Sequence, residues 1–321
     1  MITQIVPSLG QQCGIASFSE KLSYNMVKEL KEKEVYDTII LEYEYGLHKD
    51  INFEAIKSAI ARHKVVIMHA YNTELSRTLH NEIFSTFDRI IFLTTSAKVA
   101  AGSAMPMHLH KMFVIEHYSE EYDNSFKEFI PNITMYPVIG VHGFGFPRNG
   151  FGKILNQYVN SDVQFKAKLY LMMTLSSFNP TANTETSIYI DKIRRFVWDN
   201  KLEDRVVIDC NYYETKQEII SKLREKCNLL YHDQYGPKTY INTSGSIHTL
   251  LSTGLPVYAI NTVRIEMIPE GVVSKINTLE DIFDSKIEGV DRERLSSYLN
   301  SNSVEAFKQK LLRIINGTNT A

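Results

Sequence analysis

The sequence has few cysteines, and their placement excludes a disulfide or zinc framework. Cys13, Cys210 and Cys227 are odd in number, far apart and in no C-x-x-C pair. That usage fits a reducing compartment. Long apolar runs are also missing: no stretch of 18 apolar residues is free of charge, so no membrane-spanning helix is expected. The opening MITQIVPSLG has neither a basic leader nor a long apolar segment, so a secretory signal is not expected and the cytoplasm is the expected location. A surplus of one charge is absent as well. With 35 Lys and Arg against 37 Asp and Glu, the formal net charge is -2. No global basic field draws the chain to nucleic acid or anionic lipid. Short-period repeats and low-complexity tracts are not found.

What is present is ordinary globular chemistry: 44% hydrophobic and 22% charged residues. A chain of 321 residues exceeds the usual size of one hydrophobic core, so two domains are expected. Short apolar runs alternate with longer amphipathic ones. Strands are expected at residues 3–7, 38–42, 64–69, 89–93, 111–115 and 134–138, with helices at 17–33, 52–61, 73–87 and 96–102. The pattern restarts with strands at 139–142, 167–173, 206–209, 228–231 and 256–260. Helices are expected at 152–158, 185–200, 216–226, 246–252, 280–287 and 303–315. Alternating strands and helices, with strands apolar on both faces, indicate parallel sheets covered on both sides. The fold class expected is therefore α/β, with two Rossmann-like doubly wound domains facing across a cleft. The polar stretch 120–131 places the boundary so that residues 1–132 form one domain and 133–321 the other. Ligands of such sheets bind beyond the carboxyl ends of the strands, so the loops there are the place to look for chemistry.

The first strand runs into SLGQQCGIASFSEKL. Gly10 and Gly14 flank a tight turn, and Ser17 with Glu20 suits a capping box. A glycine turn at a helix start can present amides to an anion, or can simply be a turn. The second strand ends in ILEYEYGLH, where Glu42 and Glu44 alternate with tyrosines before Gly46. Such alternation is often a solvent-edge feature; read functionally, Glu44 and Gly46 face the cleft. The third strand ends in VVIMHAYNT, which puts His69 at a carboxyl end, either as a packing residue or at the site.

The loop GVHGFGFPRNGFGK opens the second half. Arg148 offers a planar fork and Lys153 a mobile point charge, amid glycines that admit close backbone approach. This suits a diphosphate. In YINTSGSIHTLLSTGLPVYAIN, Thr243, Ser244, Gly245 and Ser246 lead into a helix, as phosphate ligands or as an ordinary cap. His232 and Asp233 follow a strand and can line the cleft. His108 and His110 lack a third ligand nearby, so a metal site is not expected. No D-x-D pattern implies a metal-bound nucleotide sugar.

In order along nearly the whole chain, CGIASFSEKL, LEYEYG, VVIMHAYNT, FVIEHYSEEY, GFGFPRNGFGKIL and SGSIHTLLSTGLPVYA resemble the motif series of glycosyltransferase family four, a retaining, nucleotide-sugar-dependent group of GT-B fold. The resemblance implies a hexosyl- or pentosyltransferase that needs no metal or cofactor and takes a nucleotide sugar as co-substrate. It implies that Gly14, Arg148, Lys153, Ser244, Gly245, Ser246 and His248 bind the donor. Arg148 and Lys153 would neutralise the leaving diphosphate, and His69 would contact the transferred sugar. Gly10, Glu44, Gly46 and His69 would line the acceptor side. The last helix would pack back on the N-terminal domain. The acceptor stays open among a glycan, a lipid-linked sugar, a small molecule, a protein and a modified DNA base.

Two departures accompany the resemblance. The family's Glu-x7-Glu pair is missing: Asn242 and Thr249 fall near those positions, with His248 the ionisable neighbour. The lysine of the family's K-G turn is displaced, leaving Arg148 and then Lys153. These departures motivate an alternative, a non-catalytic nucleotide-sugar-binding protein of the same fold. A sugar epimerase on the same scaffold is a third reading.

Overall fold

A computed structural model describes the chain except for residues 11–13, 32–33, 121–135, 175–179, 235–238, 261, 285–290 and 318–321. The chain divides into two compact units. Unit 1 comprises Met1–Tyr118, Pro237–Thr243 and Val304–Ala321; unit 2 comprises Ser119–Gly236 and Ser244–Ser303. Each is a twisted parallel sheet with helices on both faces.

Unit 1 runs β1 (Ile2–Ile5), α1 (Gly14–Leu22), β2 (Asn25–Val27), β3 (Val35–Tyr43), α2 (Phe53–Ser58), β4 (Ile60–Met68), β5 (Ala70–Asn72), α3 (Arg77–Thr86), β6 (Arg89–Phe92), α4 (Thr95–Ala104) and β7 (Met112–Val114). Its main sheet has the order β2-β1-β3-β4-β6-β7, with every pairing parallel. The strands are buried runs such as Ile39, Ile40 and Leu41, all fully enclosed. One face packs Ile39, Leu41, Val66 and Met68 against Phe53, Ile83, Phe84 and Ala101. The other packs Ile40, Val65, Ile67 and Ile91 against Phe18 and Leu22, and against Phe307, Leu311 and Ile314 of a late helix.

The helix expected over 17–33 stops at Leu22. Ser23 turns left-handed at φ 55°, and residues 25–27 join the sheet beside β1. Pairing with β1 outweighs the local helical preference of this segment.

Unit 2 runs β8 (Val138–Phe144), α5 (Phe151–Val159), α6 (Val163–Lys166), β9 (Lys168–Thr174), α7 (Pro180–Asp199), β10 (Val206–Asp209), α8 (Lys216–Lys226) and β11 (Leu229–His232). The strand β12 (Tyr240–Asn242) follows and pairs antiparallel with β5 as part of unit 1. Unit 2 resumes with α9 (Gly245–Leu251), β13 (Val257–Ile260), β14 (Ser274–Ile276), α10 (Asp281–Asp284) and α11 (Arg292–Ser301). The last helix, α12 (Val304–Asn316), belongs to unit 1. The strand expected at 134–138 falls largely outside the described residues; β8 begins at Val138. No described helix is long and apolar enough to cross a membrane.

The sheet of unit 2 has the order β10-β9-β8-β11-β13-β14, all parallel. Counted within the unit, this is 3-2-1-4-5-6, the dinucleotide-fold order, whose switch point lies between β8 and β11. In unit 1 the order changes direction between β1 and β3. Connections from β1 and β3 therefore leave to opposite faces there, as do those from β8 and β11. Each pair of strands opens a crevice at its carboxyl ends.

Candidate functional site

In unit 2 the carboxyl ends of β8 and β11 are tied together by close backbone approach. The loop after β8 passes through a 3-10 turn, Pro147–Asn149, to Gly150 at φ 81°. A Cβ on Gly150 would collide with the carbonyl oxygen of Asp233, just past β11. Only glycine meets both demands. One turn into α5, Lys153 reaches back and pairs with the Asp233 carboxylate at 2.8 Å. That carboxylate is 1% exposed, while Lys153 is 43% exposed. Lys153 thus compensates a buried charge. An ammonium has three donors and can serve more than one acceptor. Arg148 lies in the 3-10 turn; its side chain is outside the described residues.

Gln234 gathers the remaining polar groups. Its Nε2 donates to Ser246 Oγ (3.0 Å), and its Oε1 accepts from Ser244 Oγ (2.9 Å). The two serine hydroxyls lie 3.0 Å apart. Gly143 of β8 admits this amide and that of Asn149: a Cβ there would stand 3.3 Å from Gln234 Nε2 and 3.5 Å from Asn149 Nδ2. Ser244 precedes α9 but makes no side-chain cap bond, since its hydroxyl serves the cluster instead. Gly245 is exposed at the helix start. Gln234, which no motif in the sequence marks, thus joins Ser244 and Ser246 and lies beside Gly143 of β8.

His248 is buried in α9, on the side of the sheet that also carries His142 and His232. Strand alternation explains this. His142 shares the face of Gly140, where a Cβ would meet Cys227 and Leu230, and His232 shares the face of Leu230. Burial pushes His142 down to about 4, with the Lys216 charge adding to the effect. Burial pushes His232 down to about 3, aided by Arg264 and the other two histidines. Burial, then Lys216, pushes His248 down to about 3. All three rings are neutral near pH 7. Nδ1 of His142 and Nε2 of His232 have no hydrogen-bond partner among the described residues. Lys216 itself pairs with the buried Glu120.

In unit 1 the polar centre is Glu42, whose alternation with tyrosines suggests a strand-edge feature. Its side chain is fully buried on the α1 and α12 side of β3. One carboxylate oxygen accepts from Gln4 Nε2 (2.5 Å); the other lies 2.7 Å from His69 Nε2. His69 directly follows β4, with 11% of its side chain exposed. Phe18 of α1 meets the His69 ring edge to face at 4.9 Å, and packs on His117 and Tyr118 as well. The signal available in the sequence was a carboxylate inside the otherwise apolar run TIILEY, in a sheet covered on both faces.

Glu44 is engaged elsewhere. β3 ends at Tyr43, and Glu44 caps the 3-10 helix Tyr45–Asp50 by accepting from the Gly46 amide (2.7 Å). It also accepts from the hydroxyl of Tyr240 on β12. Gly46 is exposed. Gly10 is exposed at φ 80°, and Gly14 opens α1; a Cβ on either meets nothing within 4 Å. Residues 11–13 between them, Cys13 included, lie outside the described residues. His108 is buried and bonded to Asn81 Oδ1 (2.9 Å), whereas His110 is exposed. Cys210 and Cys227 are both free thiols.

The chain matches no family model and no curated protein. Solved structures do resemble it. A glycosyltransferase from Rickettsia africae ESF-5 superposes with a TM-score of 0.70 at 11% identity, covering 100% of this chain and 99% of that one. Anabaena Alr3699/HepE in complex with UDP gives 0.62 at 14% identity, with coverages of 94% and 82%. An α,α-trehalose-phosphate synthase (UDP-forming) from Burkholderia xenovorans, in complex with glucose-6-phosphate, gives 0.64 at 10%, with coverages of 90% and 74%. The fold of this chain, two Rossmann-like parallel-sheet units, is that of the GT-B glycosyltransferases.

Proposed function

We propose that the chain is a glycosyltransferase that takes a hexosyl or pentosyl group from a nucleoside diphosphate sugar. Unit 2 holds the donor, with its diphosphate at the carboxyl ends of β8 and β11. The observation that carries this reading is the constellation of Gly143, Gly150, Lys153, Ser244 and Ser246 at the switch point of unit 2. There the polypeptide offers hydroxyls, a partly exposed ammonium and the N-terminus of α5, all suited to a polyanion. UDP bound to one structural neighbour and the UDP-forming activity of another favour uridine as the base.

In this reading Arg148 and Lys153 stabilise the diphosphate as it departs, with no metal or cofactor. His69, held by Glu42, contacts the transferred sugar, and unit 1 takes the acceptor. Retention of configuration is part of the proposal and rests on the family resemblance. A thermal-shift panel of nucleoside diphosphates and nucleotide sugars tests it, followed by measurement of diphosphate release. A ligand of the folded state raises the melting temperature by mass action. Stabilisation by one diphosphate series, with release of that diphosphate from its sugar, is the expected result. No shift with any series overturns it.

A second reading has an observation of its own. Lys153 is engaged by Asp233, and His248 with Thr249 stands where the family carries a glutamate. Binding of the nucleotide sugar with no diphosphate release would select a binding protein over an enzyme.

A further inference from the structure

Glu42 is fully buried, yet the chemistry proposed above has no direct task for it. A buried carboxylate without donors costs several kcal/mol, so its two partners define its role. Gln4 and His69 supply one donor each, at 2.5 and 2.7 Å. The carboxylate is an acceptor only, so the proton between Glu42 and His69 belongs to the ring. Nε2 therefore carries hydrogen, and a neutral imidazole then has its lone pair on Nδ1. Phe18 lies against the ring at an interplanar angle of 87° and resists its rotation. The backbone N–H of His69 is bonded to the Tyr43 carbonyl (3.0 Å), which anchors the residue at the strand end.

We infer that Glu42 is a positioning residue: it fixes His69 in the Nε2–H tautomer, so that Nδ1 is the atom His69 offers to substrate, as a hydrogen-bond acceptor. The chemical class recognised is a hydroxyl donor, such as a sugar OH. A ring of the opposite tautomer would set two lone pairs against each other at Nε2 and Glu42. This inference rests on the reading of His69 as a sugar contact, but the tautomer itself exists without substrate.

The test is nitrogen-resolved NMR of the full chain labelled at histidine, with His69→Gln identifying the resonance. The expected wild-type spectrum has a downfield ring proton on Nε2 that exchanges slowly with water. Glu42→Leu, of similar size, is expected to lose that resonance to exchange. Glu42→Gln is expected to retain it, moved upfield by the neutral acceptor. Gln4 can accommodate that variant by turning its amide, since its Oε1 has no partner among the described residues. A proton on Nδ1, or a resonance unchanged in both Glu42 variants, overturns the inference. Should Glu42→Leu fail to fold, Glu42→Gln decides alone, and an unchanged resonance is then the overturning result. Absence of any donor binding would sink the proposed function and leave this result standing.

Discussion

The backbone of Gly150 rests directly on the carbonyl of Asp233, at a left-handed φ of 81°. Gly10 has nearly the same φ, 80°, but open space where its Cβ would be. The two positions therefore separate conformational strain from collision.

Gly10→Ala should cost only the left-handed penalty, about 1 kcal/mol. Gly150→Ala adds displacement of the β11 end and should cost about 3 kcal/mol. Thermal unfolding of the two variants checks this. Equal losses would mean that the contact with Asp233 carries no energy.

Removing the Lys153 ammonium strands a buried carboxylate. Lys153→Met should destabilise by about 2 kcal/mol, reduced from the fully buried case by the exposure of the lysine. Adding Asp233→Asn removes the stranded charge and should recover part of the loss. Chemical denaturation of both variants decides the point. A double variant less stable than Lys153→Met would show that the carboxylate, not the pair, holds the loop.

The three histidines of unit 2, His232 and His248 buried and His142 half-buried, make acid stability steep. Their folded values, about 4, 3 and 3, lie below the unfolded value of about 6.5. Below pH 6.5 the unfolded chain takes up protons that the folded chain refuses. Their stabilising effect is thus complete above pH 6.5 and falls as the pH drops from 6.5 towards 4. Each contributes a slope of up to about 1.4 kcal/mol per pH unit. Urea unfolding at pH 7, 6 and 5 should show the slope, and His142→Gln should reduce it by about one such increment. An unchanged slope would mean that His142 is protonated in the fold.

Asp209 ends β10 as the acceptor for two tyrosines. Burial alone would raise its pKa, but bonds from Tyr170, Tyr213 and Asn211 outweigh burial and hold it below the usual value. Tyr170→Phe should raise the pKa of Asp209 and cost about 1–3 kcal/mol. Carboxyl-carbon NMR titration reads the first and thermal unfolding the second.

The parallel sheets were legible because their strands are apolar runs at regular spacing: residues 206–209 and 216–226 were placed at their observed bounds. β2 was not, because three residues at a sheet edge carry no periodicity of their own and borrow their conformation from β1. The same logic divides the site. Lys153, Ser244 and Ser246 announced themselves as polar groups in glycine-rich turns. Glu42 and Gln4 did not, because only the fold shows that two polar side chains on different strands enclose His69. Glu44, the more conspicuous carboxylate beside Gly46, is engaged in capping a turn and bonding Tyr240. Spacing along the chain identifies a strand end but not which side chain turns inward there.

Unit 2 lies wholly within the sequence span of unit 1. During synthesis from the N-terminus, unit 2 has its last segment once Ser303 has emerged. Unit 1 at that moment still lacks α12, whose Phe307, Leu311, Ile314 and Ile315 complete its second core. The domain begun first is thus finished last. A nascent chain must shelter the apolar face formed by Ile40, Val65, Ile67 and Ile91 while an entire second domain is translated, which makes that face the natural client surface for chaperones on the ribosome.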